Sequence, residues 1–181
     1  SRGLGDVYKR QGFNGCRKFN KKYKIMSKVL VIGGSGFFGS HVADVLTHKG
    51  HEVYIFDLVK SKYLLPNQKM IIGDILNKDL IDQSIEKVDY VYHFAAIADI
   101  KEAKDNPINS ARFNIIGTLN ILDACVKYKI KRIIFSSSIY VYSNHGSFYR
   151  STKQSCELFI ENYFEEYKLE YTILRYGTLY G

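Results

Sequence analysis

The run Lys28-Val29-Leu30-Val31-Ile32 feeds directly into Gly33-Gly34-Ser35-Gly36-Phe37-Phe38-Gly39, and the stretch from Ser40 to His48 then carries Val42, Val45 and Leu46 on one helical face. An apolar run, a glycine-rich turn and an amphipathic segment in that order predict strand, tight turn and helix. Glycine suits such a turn because it adopts positive φ and lets backbone amides approach an anion, which also gains from the helix N-terminal dipole. A second strand, Glu52-Val53-Tyr54-Ile55-Phe56, ends in Asp57, about twenty residues beyond the turn, where a carboxylate can accept both hydroxyls of a ribose. Turn and acid together predict a dinucleotide site, with the pyrophosphate on Gly33, Gly36 and Gly39.

The same alternation continues along the chain. Residues 28–32, 52–57, 69–72, 89–94, 131–135 and 170–174 read as strands, and 36–48, 78–86, 107–128 and 150–167 as helices. The third helix begins beside Pro107 and places Ile115, Leu119, Leu122 and Val126 at helical spacing. This pattern predicts an α/β fold of Rossmann type, a doubly wound parallel sheet in a three-layer αβα arrangement with right-handed crossovers. No repeat, low-complexity tract or Pro/Gly/Ser linker divides residues 26–181, so they read as one unit.

Residues 1–25 stand apart. They hold eight Lys and Arg against one acid, Asp6, and so carry +7 of the chain's net charge of +8. The remainder is close to neutral, which gives no reason to expect nucleic acid as a partner. Gly5-Asp6-Val7-Tyr8-Lys9-Arg10-Gln11 resembles the translated end of a sequencing adapter, and Met26-Ser27-Lys28 reads as a natural start. The leader is therefore expected to be disordered or artefactual. Cys16, Cys125 and Cys156 have neither CxxC spacing nor clustered His partners, so no metal site and no disulfide framework is indicated. A reducing cytoplasm fits that usage, and no stretch reaches the length needed to cross a bilayer.

Tyr149 and Lys153 lie four residues apart, which on a helix puts them on one face. A phenol is a poor base at neutral pH, and a neighbouring ammonium favours its ionised form. Upstream, Ile133-Ile134-Phe135 runs into Ser136-Ser137-Ser138, three hydroxyls at the carboxyl end of a strand, where open α/β sheets bind ligands. Another strand carries Tyr92-His93-Phe94-Ala95-Ala96, whose alanines would let a dinucleotide lie close; His93 reads as structural.

Taken together, Gly-x-x-Gly-x-x-Gly, Gly73-Asp74-Ile75, His93-Phe94-Ala95-Ala96, Asn114-Ile115-Ile116-Gly117-Thr118, Ser136-Ser137-Ser138 and Tyr149-x-x-x-Lys153 resemble the extended short-chain dehydrogenase/reductases, in particular the nucleotide-sugar epimerases and dehydratases. The resemblance runs from Met26 to Gly181 and implies NAD as cofactor. It places Gly33, Gly36, Phe37, Phe38 and Gly39 at the pyrophosphate, Asp57 at the adenosine ribose and Asp74 with Ile75 beside adenine. Ala95, Ala96 and Asn114 fall along the cofactor, Tyr176 near the nicotinamide, and Lys153 on the nicotinamide ribose, where it would also lower the Tyr149 pKa. Ser138 aligns with the hydroxyl that bonds the reacting oxygen.

The implied mechanism has Tyr149 take a proton from a sugar hydroxyl while NAD takes hydride from the same carbon, followed by return of hydride to the opposite face. Dehydratases of this type carry acids after the third serine, whereas this chain has Ile139 and Tyr140. That leaves an epimerase of a nucleotide-activated sugar, with a ketoreductase of a nucleotide-linked keto-sugar and a non-catalytic NAD-binding regulatory module as alternatives. Only eleven residues separate Ser138 from Tyr149, which requires a tight turn through Asn144-His145-Gly146. Leu174-Arg175-Tyr176-Gly177-Thr178 sets Thr178 where the family has asparagine. The chain is expected to lack most of a C-terminal substrate domain, and the intact protein to be a homodimer through the helices at 107–128 and 150–167.

Overall fold

The computed structural model describes residues 26–177. In chain order the elements are β1 (Lys28–Ile32), α1 (Phe37–His48), β2 (Glu52–Asp57), β3 (Gln68–Ile72), α2 (Lys78–Ile85), β4 (Tyr90–His93), α3 (Ile100–Asp105) and α4 (Pro107–Ala111). A π-helical turn (Arg112–Ile116), α5 (Gly117–Lys127), β5 (Arg132–Ser138), a 3-10 turn (Ile139–Tyr142), α6 (Ser147–Tyr167) and β6 (Tyr171–Tyr176) follow. The six strands form one sheet in the order β3-β2-β1-β4-β5-β6, and every ladder is parallel. The chain winds outward from β1 to β3 and then crosses to β4, so the expected doubly wound sheet is the observed one.

Strand alternation sorts the core. Leu30 and Ile32 face one side, with Phe56, Phe135, Ile121 and Leu122 of α5, and Cys156 and Ile160 of α6. Val29 and Val31 face the other, with Val53, Ile55 and the α1 residues Ala43 and Leu46. Both faces of β1 are thus covered, which is why its sequence is continuously apolar rather than alternating. Each fully buried Leu or Ile contributes about 1.5–3 kcal/mol, and truncating Phe56, buried completely, would cost about 3–5 kcal/mol.

Most expected elements differ from the observed ones by one or two residues at their ends, but four differences affect the site. The single helix expected over 107–128 is α4, the π-helical turn and α5 in succession. Its start is set by Pro107 in the first turn and by Asn106, whose side chain accepts from Asn109 N. A further helix, α3, precedes it, capped by Asp99 accepting from Glu102 N; with Ala103 as its one buried residue it has no apolar period to read. β5 continues through Ser138, because Ser137 and Ser138 pair with Arg175 and Tyr176 of β6. α6 begins at Ser147, so Tyr149 lies inside its first turn. The expected tight turn before it is present, with Gly146 at φ 94°.

The leader 1–25 and Thr178 lie outside the described residues. Among the described residues no helix is long and apolar enough to cross a membrane.

Candidate functional site

The carboxyl ends of β1, β2, β3 and β4 open onto one cleft. Gly33 and Gly36 form its floor, Asp57 and Leu58 one wall, Gly73 and Ile75 its far end, and Phe94, Ala95, Ala96 and Phe113 the opposite wall. It lies where the chain's winding reverses between β1 and β4, the place where open α/β sheets bind ligands. Gly33 sits at φ +81°, and a Cβ there would fall 2.5 Å from Ala95 N. A Cβ on Gly39 would fall 2.2 Å from Gly33 O, so turn and helix can approach this closely only as glycines.

The turn is held by Gly33 N donating to Phe56 O at 2.8 Å and Gly36 N to Gly33 O at 3.3 Å. α1 then starts with Gly36 as its cap, so no side chain caps it and no acid stands in its first turn. The first amides of such a helix have no intrahelical partner, and Gly36, its cap, lines the cleft, which makes this helix start a ready site for a phosphate. The Asp57 carboxylate is fixed at the rim, with Oδ2 accepting from Ser35 N at 2.9 Å and Oδ1 from Val59 N at 3.2 Å. Each oxygen retains a lone pair for a ribose hydroxyl. These features fit a dinucleotide: a bare helix start for phosphates, an anchored carboxylate for ribose, and alanines that leave room alongside.

Not every expected cofactor residue faces the cleft. Asp74 lies between the lining residues Gly73 and Ile75, with its Oδ1 accepting from Leu76 N at 2.9 Å. The Phe37 ring is exposed and meets His41 edge-on. Phe38 turns away from the phosphate turn and packs edge-on against Phe94 and Tyr176, with ring centroids 5.1 and 4.5 Å apart. Asn114 is buried, and its carboxamide is committed within the protein. Oδ1 accepts from Ile97 N at 2.7 Å, while Nδ2 donates to Ile97 O at 3.1 Å and to Thr152 Oγ1 at 3.0 Å. It braces the loop after β4 against α6.

A second pocket adjoins the first through Phe94. It brings together Ser138 from the end of β5, Tyr149 from α6, Tyr176 from β6 and Phe38 from α1, with Ala98, Ser136, Ser137 and Gly177 completing the wall. β5, α6 and β6 therefore place a hydroxyl and two phenols around one space. Ser138 Oγ accepts from Tyr140 N at 3.3 Å, which leaves its own proton free to donate. The Tyr149 phenol and the Ser138 hydroxyl line the same pocket.

Lys153 lies behind this pocket, only 3% exposed. Its Nζ donates to Ser136 O at 2.7 Å and stands 4.6 Å from the Phe135 ring and 5.8 Å from the Tyr149 ring. Burial lowers its pKa to about 8, opposed by the neighbouring Cys156 thiol and by the Glu157 carboxylate. The Tyr149 phenol is pushed above its ordinary value by burial, and the Ser138 hydrogen bond acts the other way. Lys153 does not contribute the expected lowering: its ammonium is turned to a backbone carbonyl while the phenol loses solvent.

His93 is structural, as expected. It is buried, its Nε2 lies 2.9 Å from Thr118 Oγ1, and Thr118 Oγ1 itself donates to Asn114 O at 2.6 Å. The imidazole proton is therefore on Nε2, and burial holds the ring neutral down to a pKa of about 3. Phe113 was not singled out by the sequence, and Phe94 and Ser137 were read only as members of their motifs, with no role of their own. Phe94 could have been given one, because the small residues that follow it leave its ring as the partition between the two pockets. Among the described residues no three His, Cys, Asp or Glu side chains converge as metal ligands.

The comparisons agree with this geometry. Residues 29–181 match the family described as NAD dependent epimerase/dehydratase. A UDP-glucose 4-epimerase from Thermotoga maritima, solved with UDP-glucose, superposes with a TM-score of 0.81 at 32% identity, over 85% of this chain and 56% of that one. One from Thermus thermophilus, solved with NAD, gives 0.80 at 29%, over 85% and 56%. A UDP-N-acetyl-alpha-D-glucosaminuronate decarboxylase from Bacillus cytotoxicus is 34% identical over 177 residues, 85% of this chain and 55% of that protein. The chain thus spans about half the length of the relatives it matches. With the glycine turn, the fixed Asp57 and the matched span all in one sheet, the chain belongs to the NAD dependent epimerase/dehydratase family, whose cofactor is NAD.

Proposed function

We propose that this chain is the cofactor-binding part of an NAD-dependent epimerase that acts on a nucleotide-activated sugar through a transient keto-sugar. The observation that carries the reading is the convergence of Ser138, Tyr149 and Tyr176 in a pocket joined to the dinucleotide cleft at Phe94. The residues that would hold NAD are Gly33, Gly36 and Gly39 at the phosphates, Asp57 at the adenosine ribose, Ile75 at the base, Ala95 and Ala96 along the chain of the cofactor, and Lys153 at the second ribose. When bound there, NAD supplies a reversible two-electron acceptor to the sugar carbon.

This chain's own residues move the proton. Ser138 Oγ accepts from Tyr140 N and keeps its proton available, so its hydroxyl would donate to the reacting oxygen and hold it beside Tyr149. Tyr149 takes the proton at its phenolic oxygen in one direction and returns it in the other. At neutral pH Lys153 is largely an ammonium and stands 5.8 Å from the Tyr149 ring. Ile139 and Tyr140 follow Ser138, and neither carries the carboxylate that would remove a proton from the neighbouring carbon, which favours epimerisation over dehydration. A ketoreductase would use the same groups with net consumption of reduced cofactor.

Homodimerisation of the full protein belongs to the same proposal. Ile108 on α4, Ile116 in the π-helical turn and Leu158 on α6, exposed at 82%, 47% and 62%, are the apolar side chains on these helices that a partner subunit would cover.

Calorimetric titration of the chain with NAD and NADP, beside Asp57→Ala, tests the cofactor site. NAD should bind in preference to NADP, and the substitution should weaken it at least about tenfold. Equal binding to both forms of the protein would remove Asp57 from the site. In the full-length protein, Tyr149→Phe should abolish turnover of UDP-sugars and leave NAD affinity within a few-fold; retained turnover would refute the acid/base role.

A further inference from the structure

One buried carboxylate stands between two cations on the α6 side of the sheet. Glu157 lies four residues beyond Lys153 on α6, one turn along the same face, and is 7% exposed against 3% for Lys153. Arg175 reaches it from β6 with a bidentate fork: Nε lies 3.0 and 3.2 Å from the two carboxylate oxygens, and Nη2 lies 2.8 Å from Oε2. The guanidinium is itself fixed by Nη1 on the Tyr142 hydroxyl and by stacking 4.7 Å from the Tyr142 ring. Lys153 directs its Nζ to Ser136 O instead.

We propose that Glu157 and Arg175 are positioning residues that balance charge behind Tyr149: the carboxylate supports the Lys153 ammonium through space, and the guanidinium keeps that carboxylate from capturing it. The proposal rests on reading Lys153 as the cation that serves Tyr149.

The geometry gives each partner a distinct consequence. A bidentate guanidinium–carboxylate pair is among the strongest charge-assisted contacts and carries no net charge. Lys153 therefore keeps part of the Glu157 field yet remains free to lie under Tyr149. Without the guanidinium, Glu157 would have Lys153 as its nearest cation, one helical turn away. Nζ would leave Ser136 O, and the ammonium would persist to higher pH. Without the carboxylate, Lys153 would lose its counter-charge and face Arg175, so the ammonium would be lost at lower pH. The other titratable groups around Lys153 are Tyr149 and Cys156 on α6 and His93 on β4. All three are uncharged near neutral pH, so the balance falls to Glu157 and Arg175.

The test reads the Lys153 amine directly, by the 15N shift of Nζ in lysine-labelled chain titrated from about pH 6 to 11, assigned against Lys153→Arg. The midpoint should lie at about 8 in the parent. It should fall by about one unit in Glu157→Gln, rise by about one unit in Arg175→Gln, and return near the parent value in the double variant. Should the neutral variants fail to fold, Glu157→Asp, which withdraws the carboxylate, must still lower the midpoint, and Arg175→Lys, which loses the fork, must still raise it. Shifts of the same sign from both partners, or none from either, would overturn the proposal. Because no cofactor or turnover enters this measurement, its failure leaves the Tyr149 reading standing, whereas active Tyr149→Phe would remove that reading without touching this titration.

Discussion

The carboxamide of Asn114 and the hydroxyl of Thr152 meet at 3.0 Å, and that contact ties the π-helical turn to the helix that bears Tyr149 and Lys153. Thr152 passes the link on by donating to Tyr149 O at 2.8 Å. The other atoms of the same carboxamide clamp Ile97, next to the alanines of the cofactor cleft. One side chain therefore registers the cleft wall against the acid/base helix, and π-turns of this kind recur at such sites.

Asn114→Asp keeps the shape and removes both donors, leaving a buried carboxylate facing Ile97 O. We expect a loss of about 2–4 kcal/mol in stability, read as a lower urea midpoint with unchanged slope. NAD affinity should fall with it, because Ala95 and Ala96 lose their tether. A variant as stable as the parent would show that the brace contributes nothing.

The sheet was legible because β1 is apolar on both faces and Asp57 ends β2, patterns that only a covered parallel strand and a ribose carboxylate explain together. Asn114 was not legible as a brace. Its residue type says that it will make hydrogen bonds but not to which atoms, and the π-helical turn that aims it inward has no sequence period of its own. Phe38 was assigned to the phosphate turn by its place in the motif, yet its ring goes to Phe94 and Tyr176. Motif position fixes a backbone role here and leaves the side chain to packing. The direction of the Tyr149 shift depends on burial, which arises only when β5, α6 and β6 come together.

His93 should make the fold acid-sensitive. Its folded pKa of about 3 lies below the ordinary value near 6.5, so between those values the unfolded chain binds the extra proton. Stability should then rise with pH across that window and fall as pH drops through it, by about 1.4 kcal/mol per unit. His93→Gln, which can still donate to Thr118, should flatten this limb in denaturation measured from about pH 6 to 4. An unchanged slope would show that other groups dominate.

Ser138 supplies the hydrogen bond that lowers the Tyr149 phenol against burial. Ser138→Ala should therefore raise the phenol's midpoint, seen in ultraviolet titration as the difference from a matched Tyr149→Phe protein. A fall would mean that Ser138 serves the neutral phenol instead.

Gly36 and Gly39 separate what the turn needs for folding from what it needs for cofactor. A Cβ on Gly36 meets nothing closer than Gly33 O at 3.4 Å, ordinary contact on the open side of the turn. On Gly39 it would fall 2.2 Å from the same oxygen and 2.9 Å from Gly34 Cα, both backbone atoms that cannot step aside. Gly36→Ala should accordingly keep the parent's thermal midpoint within a few degrees while NAD affinity falls at least about tenfold, because the methyl group occupies the space a phosphate must enter. Gly39→Ala should lose several kcal/mol of stability before any ligand is added, since the helix start has to move off the turn. Thermal unfolding with and without NAD reads both effects at once: a Gly36→Ala protein that is still stabilised by NAD as strongly as the parent would place the pyrophosphate elsewhere.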